Sequence, residues 1–217
     1  MIAPDWISTS PFFNDAPPAA FGVIIHATRG GRSLNPSELE GTLNWFINPV
    51  AEVSSHWVVG RQGHKVRVIS DNRQAWHAGE HNETHWGIEL EQGVESDGFT
   101  PEQIAACIDI CRGYVQDFGV PPVHAFNGFV GHQETPQGMR RGKSDPGALF
   151  PWAEFIDALV TPTSATSASG VSIVQPTLQQ VGDAYARTWL IASSGTGNLA
   201  DALELDKNAL RWIVARF

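Results

Sequence analysis

The sequence predicts an α/β domain with a single central, mainly mixed β-sheet flanked by helices, followed by a small C-terminal helical module. Short runs of apolar, β-branched residues alternate with segments whose apolar residues recur at helical spacing. Strands interspersed with helices in this way favour one sheet covered by helices. The chain has 217 residues, which is enough for one well-packed domain with a small appendage.

The strands of this sheet are predicted from apolar runs. The run GVIIHAT, residues 22–28, contains no Asp, Glu, Lys or Arg and predicts a buried strand. The runs HWVVG, from His56, and KVRVI, from Lys65, flank the turn-like sequence RQGH and predict a hairpin. WGIELE, from Trp86, predicts another buried strand.

Three helices are predicted before residue 160. The first opens at Asn35-Pro36, because proline suits a first helical turn, and ends at Asn48-Pro49. The second opens with the capping box TPEQ, residues 100–103, and ends near Gly119. The third begins near Pro151. Their apolar faces consist of Leu39, Leu43 and Phe46, then Ile104, Ile108, Cys111 and Val115, then Trp152, Phe155, Ile156 and Leu159.

The first domain, residues 1–160, is expected to end where the composition changes. Residues 161–170, TPTSATSASG, lack apolar periodicity and predict a flexible linker. Residues 171–217 contain two helical patterns, roughly 176–191 and 199–217, which predict the small helical module.

The composition limits which binding partners and which cellular location we expect for the chain. The formal net charge of −9 argues against a general attraction to nucleic acid or anionic lipid. The N-terminus has no basic segment before a long apolar run, and no segment of the chain is long enough to span a membrane, so we expect neither a signal peptide nor membrane insertion. Cys107 and Cys111 lie four residues apart on a predicted helix and are expected to be free, packed thiols.

Three potential metal ligands stand near predicted turns and strand ends. His26 ends an apolar strand, His132 opens the loop GHQETPQGMRRGKSDPG, and Asp145 precedes Pro-Gly near the end of that loop. Two histidines and one carboxylate are a common ligand set for catalytic zinc. Their separations are too long for a local metal motif, and a solvated, charged loop would explain the loop equally well.

Six sequence blocks occur in a fixed order: VIIHAT, SSHWVVGRQGHKVRVI, AWHAG, HWGIELE, GHQE and KSDPG. Over residues 21–152 they resemble the zinc-dependent N-acetylmuramoyl-L-alanine amidases of type 2, which include phage endolysins, muropeptide-recycling amidases and peptidoglycan-recognition proteins. The resemblance implies hydrolysis of the amide bond between N-acetylmuramic acid and L-Ala. It also implies one catalytic Zn²⁺ held by His26, His132 and Asp145.

The resemblance further implies two catalytic residues. The family handles protons with a Tyr in the second block or with the Glu of GIEL; here Ser55 stands at the first position and Glu89 at the second. Lys143, two residues before Asp145, is implied to face the negative oxygen of the tetrahedral intermediate. His85 stands where the family often has Ser, which leaves the contacts near Glu89 open.

Several further residues are candidates for substrate contact. Each aromatic or histidine candidate also suits a structural role, in a core, a strand or an ordered loop. The arginine candidates would meet carboxylates of the stem peptide. The set is His77, Trp76, Trp86, His56, Arg140 and Arg141.

Other functions and settings stay open at this point. A non-catalytic peptidoglycan-binding module would lack the ligands, and a zinc peptidase of the D,D type would need Asp where Gly63 stands. An amidase without a visible leader resembles a phage endolysin, which stays in the cytoplasm until it is released to the cell wall. A cytosolic muropeptide-recycling enzyme and an exported amidase whose leader was removed are the alternatives. The C-terminal module would bind the wall or cap the first domain.

Overall fold

The computed structural model describes residues 4–30 and 37–161. The predicted C-terminal module, and all of the predicted linker after Thr161, lie outside these residues. The strands are β1 (Trp6–Ile7), β2 (Phe13–Asn14), β3 (Gly22–Ala27), β4 (Trp57–Val59), β5 (Lys65–Arg67), β6 (Gln74–Ala75), β7 (His85–Leu90) and β8 (Phe129–Gly131). The helices are α1 (Ser37–Ile47), α2 (Pro101–Phe118), α3 (Pro136–Arg140) and α4 (Trp152–Val160), with 3₁₀ turns at Gly79–His81 and His132–Glu134.

Six of the described strands form one mixed sheet, in the order β1-β5-β4-β7-β3-β8. The central strand β3 pairs in parallel with β7 on one side and with β8 on the other. β4 runs parallel to β7 and antiparallel to β5, so the predicted hairpin is present. The predicted α/β fold with a single central mixed sheet is confirmed, while the separate antiparallel pair β2-β6 was not predicted.

The register of the central strands brings polar side chains to one edge of the sheet. His26 of β3 is the direct partner of Glu89 of β7. β8 pairs with the same strand and ends at Gly131, so His132 follows at the matching end. Because the carboxyl ends of parallel strands lie at the same edge of the sheet, residues far apart in sequence come together there.

Because side chains alternate along each strand, the core residues and the polar residues at this edge lie on opposite faces of the sheet. Trp86, Ile88 and Leu90 belong to the buried cluster that α2 and α4 cover. His26 and Glu89 have the opposite parity on their strands, so their side chains leave the sheet on the other face. On that face α1 packs through Leu39 and Phe46. The site therefore lies on the face of the sheet away from α2.

The helix α2 follows its predicted caps, while the predicted opening of the first helix at Asn35-Pro36 lies outside the described residues. The Thr100 hydroxyl accepts a hydrogen bond from the backbone N–H of Gln103 at 3.1 Å, and α2 ends at Gly119 in the left-handed conformation with φ 71°. Cys107 and Cys111 are buried free thiols on this helix, as predicted. None of the described helices is long and apolar enough to cross a bilayer.

Two buried histidines should make the fold sensitive to acid. His56 donates from Nε2 to the carbonyl oxygen of Arg73 at 2.9 Å, and His85 donates from Nε2 to that of Phe126 at 2.8 Å. Burial lowers the pKa of each imidazole to about 4. The unfolded chain, with a histidine pKa near 6.5, takes up protons first as the pH falls. Their stabilising contribution is therefore present above pH 6.5 and is lost as the pH falls towards 4.

As the pH falls from 6.5 towards 4, we expect each buried histidine to lower the free energy of unfolding by an amount on the order of 3 kcal/mol. Chemical denaturation of the wild type and His56→Gln at several pH values between 7.5 and 4.5 measures this. The variant should show a shallower dependence of the unfolding free energy on pH. Gln62→Asn, an exposed and non-titrating position in the hairpin turn, is the control and should keep the wild-type slope. Equal slopes in all three proteins would contradict the assignment.

Candidate active site

Three side chains converge at the carboxyl end of β3. Nδ1 of His26 lies 3.1 Å from Nδ1 of His132 and 3.1 Å from Oδ2 of Asp145. Nδ1 of His132 lies 3.2 Å from the same carboxylate oxygen. The three atoms thus form a nearly equilateral triangle, and these residues could hold a metal ion.

The triangle fits a metal ion better than it fits a set of hydrogen bonds. A hydrogen bond needs one proton between its two atoms, and a neutral imidazole carries only one N–H. Three mutual contacts among two imidazole nitrogens and one carboxylate oxygen therefore cannot all be hydrogen bonds. Ligand atoms about 2.0–2.1 Å from a tetrahedral zinc ion lie about 3.3 Å apart, close to the observed edges of 3.1–3.2 Å.

The protonation states of His26 and Asp145 favour the binding of a cation. Burial lowers the pKa of His26, against the neighbouring Asp145 carboxylate, which raises it, so the imidazole is neutral and has a lone pair to offer. Burial alone would raise the pKa of Asp145, but the imidazoles of His132 and His26 beside it hold the pKa well below the usual range. The carboxylate is therefore an anion at neutral pH.

An arginine that the sequence did not single out fixes the loop of the third ligand. Nη2 of Arg29 donates to the carbonyl oxygens of Ser144, at 3.1 Å, and Pro146, at 3.3 Å. Nε of Arg29 donates to the side chain of Gln92 at 2.6 Å. The backbone on both sides of Asp145 is thus tied to the segments that follow β3 and β7. Arg29 lies only three residues after His26, but its role depends on contacts that no local pattern reveals.

The ligand loop itself contains more structure than the sequence suggested. A 3₁₀ turn holds His132, and α3 follows after Thr135, whose hydroxyl accepts from the N–H of Gly138 at 2.9 Å. A Cβ at Gly138 would lie 1.8 Å from the carbonyl oxygen of His132, so only glycine allows this close approach. The N–H of Gln133 donates to the carbonyl oxygen of Asp145 at 2.9 Å and joins the two ends of the loop.

Glu89 lies beside the triangle with a strongly perturbed carboxyl group. It lies beside His26 in the strand register and lines the same cleft. Its Oε2 is shielded from solvent and has no hydrogen-bond partner within the described part of the chain. Burial, aided by the Asp145 carboxylate and opposed by the Lys143 ammonium group, raises the pKa of Glu89 to about 8. A carboxylate with a raised pKa and an unpartnered oxygen can accept a proton.

The triangle lies at the floor of a cleft of about 620 Å³. A neighbouring cleft of about 460 Å³ runs towards α3 and the turn at Gly79–His81. Lys143 is exposed and lines both clefts. The residues common to the two clefts are Val53, Trp76, His77, His132 and Lys143. A ligand longer than one cleft can therefore cross the triangle.

The structure brings most of the predicted site residues to this place. The three ligand candidates, Glu89 and Lys143 line the first cleft together with Trp76 and His77. Trp45 and Phe46 of α1 add apolar surface to the same cleft, which the sequence did not predict as a site feature. Phe46 was assigned to the apolar face of the first predicted helix, which is consistent with core packing alone, and Trp45 was not assigned to any role.

Two predicted substrate contacts need correction. Trp86 is 1% exposed in the core beneath α2, and its indole donates to the carbonyl oxygen of Asp71. His56 is fully buried, with one ring nitrogen bonded to Arg73 and the other accepting from the N–H of Gly87. Neither side chain reaches the cleft, so neither can contact a substrate there.

The two arginine candidates differ in position. Arg141 lines the second cleft. Arg140 forms an ion pair with Glu80 at the surface and does not line either of the two clefts. Only Arg141 is placed to meet a ligand that extends from the triangle into the second cleft.

Comparisons with known proteins agree with this geometry. Residues 16–148 match the model of the family described as N-acetylmuramoyl-L-alanine amidase. The chain is 24% identical over 166 residues to N-acetylmuramoyl-L-alanine amidase A of Achromobacter lyticus, covering 70% of this chain and 90% of that protein. It is 32% identical over 120 residues to 1,6-anhydro-N-acetylmuramyl-L-alanine amidase AmpD of Citrobacter freundii, covering 52% and 59%. A crystal structure of an AmpD derivative superposes with a TM-score of 0.59 at 23% identity, covering 74% of this chain and 97% of that one.

Proposed function

Since the chain belongs to the N-acetylmuramoyl-L-alanine amidase family, we propose that it cleaves the amide between N-acetylmuramic acid and L-Ala with one zinc ion held by His26, His132 and Asp145. Its assignment as an amidase rests on the family match over residues 16–148. The observation that supports zinc is the triangle of ligand atoms, with edges of 3.1–3.2 Å. Two imidazoles and one carboxylate would hold the ion and leave a further position for water or substrate.

Glu89 is the proposed acid–base residue. Zinc supplies a Lewis acid that polarises the amide carbonyl and acidifies water. Without a cation in the triangle, the raised pKa of Glu89 keeps much of this side chain protonated at pH 7. With a dication held in the triangle, Glu89 would be anionic and would take a proton from the attacking water at Oε2. The same carboxyl group then returns a proton to the leaving amine of L-Ala.

Lys143 is the proposed electrostatic partner of the oxyanion. Its side chain is exposed at the cleft, two residues before Asp145, and its charge already acts on Glu89. The backbone N–H of Lys143 donates to the carbonyl oxygen of Gly138 at 2.9 Å, which fixes where the side chain starts. A cation held beside the reacting carbonyl stabilises the negative oxygen of the tetrahedral intermediate.

The joined clefts support a substrate with a sugar on one side and a peptide on the other. Trp76 is half-buried where the clefts meet and offers an aromatic face of the kind that binds sugar rings. Arg141 lines the cleft towards α3, where it would meet carboxylates of the stem peptide. We propose peptidoglycan as the substrate, in an endolysin-like role at the cell wall, with residues 171–217 as a wall-binding module. Recycling of soluble muropeptides is the second candidate, favoured by the likeness to AmpD.

Product analysis tests the reaction and separates the two settings. Purified full-length protein would be incubated with intact cell-wall sacculi and, in parallel, with a soluble 1,6-anhydro-muropeptide. We expect mass spectrometry to show stem peptides with a free L-Ala amino group and sugars that keep the lactyl carboxylate. Faster cleavage of sacculi supports the lytic role, and faster cleavage of the soluble compound supports recycling. Products cut within the stem peptide would show a peptidase and contradict the proposal.

A further inference from the structure

The imidazole of His77 connects the first metal-ligand candidate to the backbone of β7. Nδ1 of His77 lies 3.0 Å from Nε2 of His26, and Nε2 of His77 lies 3.1 Å from the carbonyl oxygen of His85. The rings of His77 and His26 meet edge to face, with centroids 5.1 Å apart. Both nitrogens of His77 are therefore engaged by protein atoms. Neither ring nitrogen of His77 is therefore free to hydrogen-bond a substrate, although the residue was predicted as a candidate for substrate contact.

The hydrogen-bond chain fixes where each proton lies. A carbonyl oxygen only accepts, so a neutral His77 carries its proton on Nε2, facing His85. Nδ1 of His77 then has a lone pair and must accept from Nε2 of His26. The proton of a neutral His26 is thereby placed on Nε2, and its Nδ1 keeps a lone pair. Nδ1 is the atom of His26 that belongs to the ligand triangle.

The position of the His77 ring is built into the surrounding chain. A Cβ at Gly87 would lie 2.6 Å from Cγ and Nδ1 of His77, so the ring occupies space that only a glycine on β7 leaves open. The side-chain oxygen of Asn82 accepts from the backbone N–H groups of His77, at 3.0 Å, and Ala78, at 2.7 Å. The backbone that carries His77 is thus held by Asn82 in addition to the contacts of the ring with β7.

We propose that His77 is a positioning residue for the metal centre, which sets the tautomer and the orientation of His26 through a hydrogen-bond chain ending at the backbone of β7. The other histidine of the triangle lacks such support, because Nε2 of His132 has no hydrogen-bond partner among the described residues. His26 is then the ligand whose ring is fixed before a cation arrives. The proposal rests on the zinc site proposed above and deepens it.

Zinc affinity of three full-length variants tests this role. His77→Phe keeps a ring of similar size but removes the acceptor for His26, and we expect the zinc dissociation constant to rise about 10- to 100-fold. His77→Asn places an oxygen acceptor near the position of Nδ1 and should recover most of the affinity. His64→Phe, in the exposed hairpin turn, is the matched control and should bind zinc like the wild type. Competition with a chromophoric chelator measures all four constants.

A second measurement needs no variant. Ring-nitrogen NMR of the metal-free, full-length wild type should show His26 and His77 each protonated on Nε2 alone. A proton on Nδ1 of His26, or an unchanged zinc affinity in folded His77→Phe, would overturn the positioning role. An Asn variant as weak as the Phe variant would overturn it too, because the acceptor would then not matter. Failure of the wild type itself to bind zinc would instead overturn the metal centre on which the role depends.

Discussion

Replacing Glu89 with glutamine is expected to lower kcat by roughly 100- to 10,000-fold, the usual contribution of a positioned acid–base group. The amide has nearly the same shape as the carboxyl group, but it cannot accept a proton from water. Glu89 does not belong to the ligand triangle, since among the described residues the group that could hold a metal ion consists of His26, His132 and Asp145. The variant should therefore keep zinc while losing turnover, which release of stem peptide from cell wall would measure.

The matched control for this substitution is Glu80→Gln. Glu80 is an exposed surface glutamate that pairs with Arg140 and does not line either cleft. It should leave both kcat and zinc content close to those of the wild type. Wild-type turnover in a zinc-loaded Glu89→Gln protein would remove Glu89 from the proposed chemistry. Loss of zinc together with activity would mean that Glu89 acts on the metal site instead.

Replacing Asp145 with asparagine is expected to weaken zinc binding by more than 100-fold and to abolish turnover at ordinary zinc concentrations. This expectation exceeds the roughly 10- to 100-fold typical of residues that only support a ligand, because the change removes the anion of the triangle. Oδ2 of Asp145 contacts both imidazoles, at 3.1 and 3.2 Å, so the substitution removes the charge at the atom that completes the triangle. Metal content after dialysis and the zinc dissociation constant would record the loss.

The loss should be partly reversible for a specific reason. The two imidazoles remain 3.1 Å apart in the variant, so high zinc concentrations should restore some occupancy and some activity. Asp157→Asn, an exposed change on α4, should leave zinc affinity unaltered. Full affinity in Asp145→Asn would show that the ion, if one binds, is held elsewhere.

Local patterns were sufficient for the elements with strong signals. The capping box at Thr100 and the left-handed Gly119 delimit α2 within a residue of the predicted ends, because caps are set by neighbouring residues. β8 and the short strands β1, β2 and β6 were missed. Each contains only two or three residues and depends on a partner strand, which a single short segment does not reveal.

The metal-ligand candidates could be predicted because the family resemblance gives each of these positions a single chemical role. The resemblance pointed to His26, His132 and Asp145, and the structure brings these three together. The assignment of Trp86 failed, although strand alternation could have prevented it. Trp86 and Glu89 are three residues apart on β7, so they lie on opposite faces, and only one can face the cleft.

Other site features depend on contacts that sequence spacing does not encode. Arg29 reaches the Asp145 loop across 115 or more positions of the chain, and His77 reaches His26 across 51. Gly87 was the sequence feature that came closest to revealing the contact with His77, since a glycine within a buried strand often marks the close approach of another group. That group is the ring of His77.

The pairing of β3 with β8 makes occupancy of the proposed zinc site a test of native strand alignment. Ile25 pairs with Gly131, so a shift of one residue between these strands would separate His26 from His132. A chain misaligned in this way would keep most of its hydrogen bonds and much of its helix, so circular dichroism would hardly detect it. At the proposed one-zinc site, the zinc bound per chain would detect it directly, and a preparation binding half an equivalent would contain about as many misaligned as native molecules.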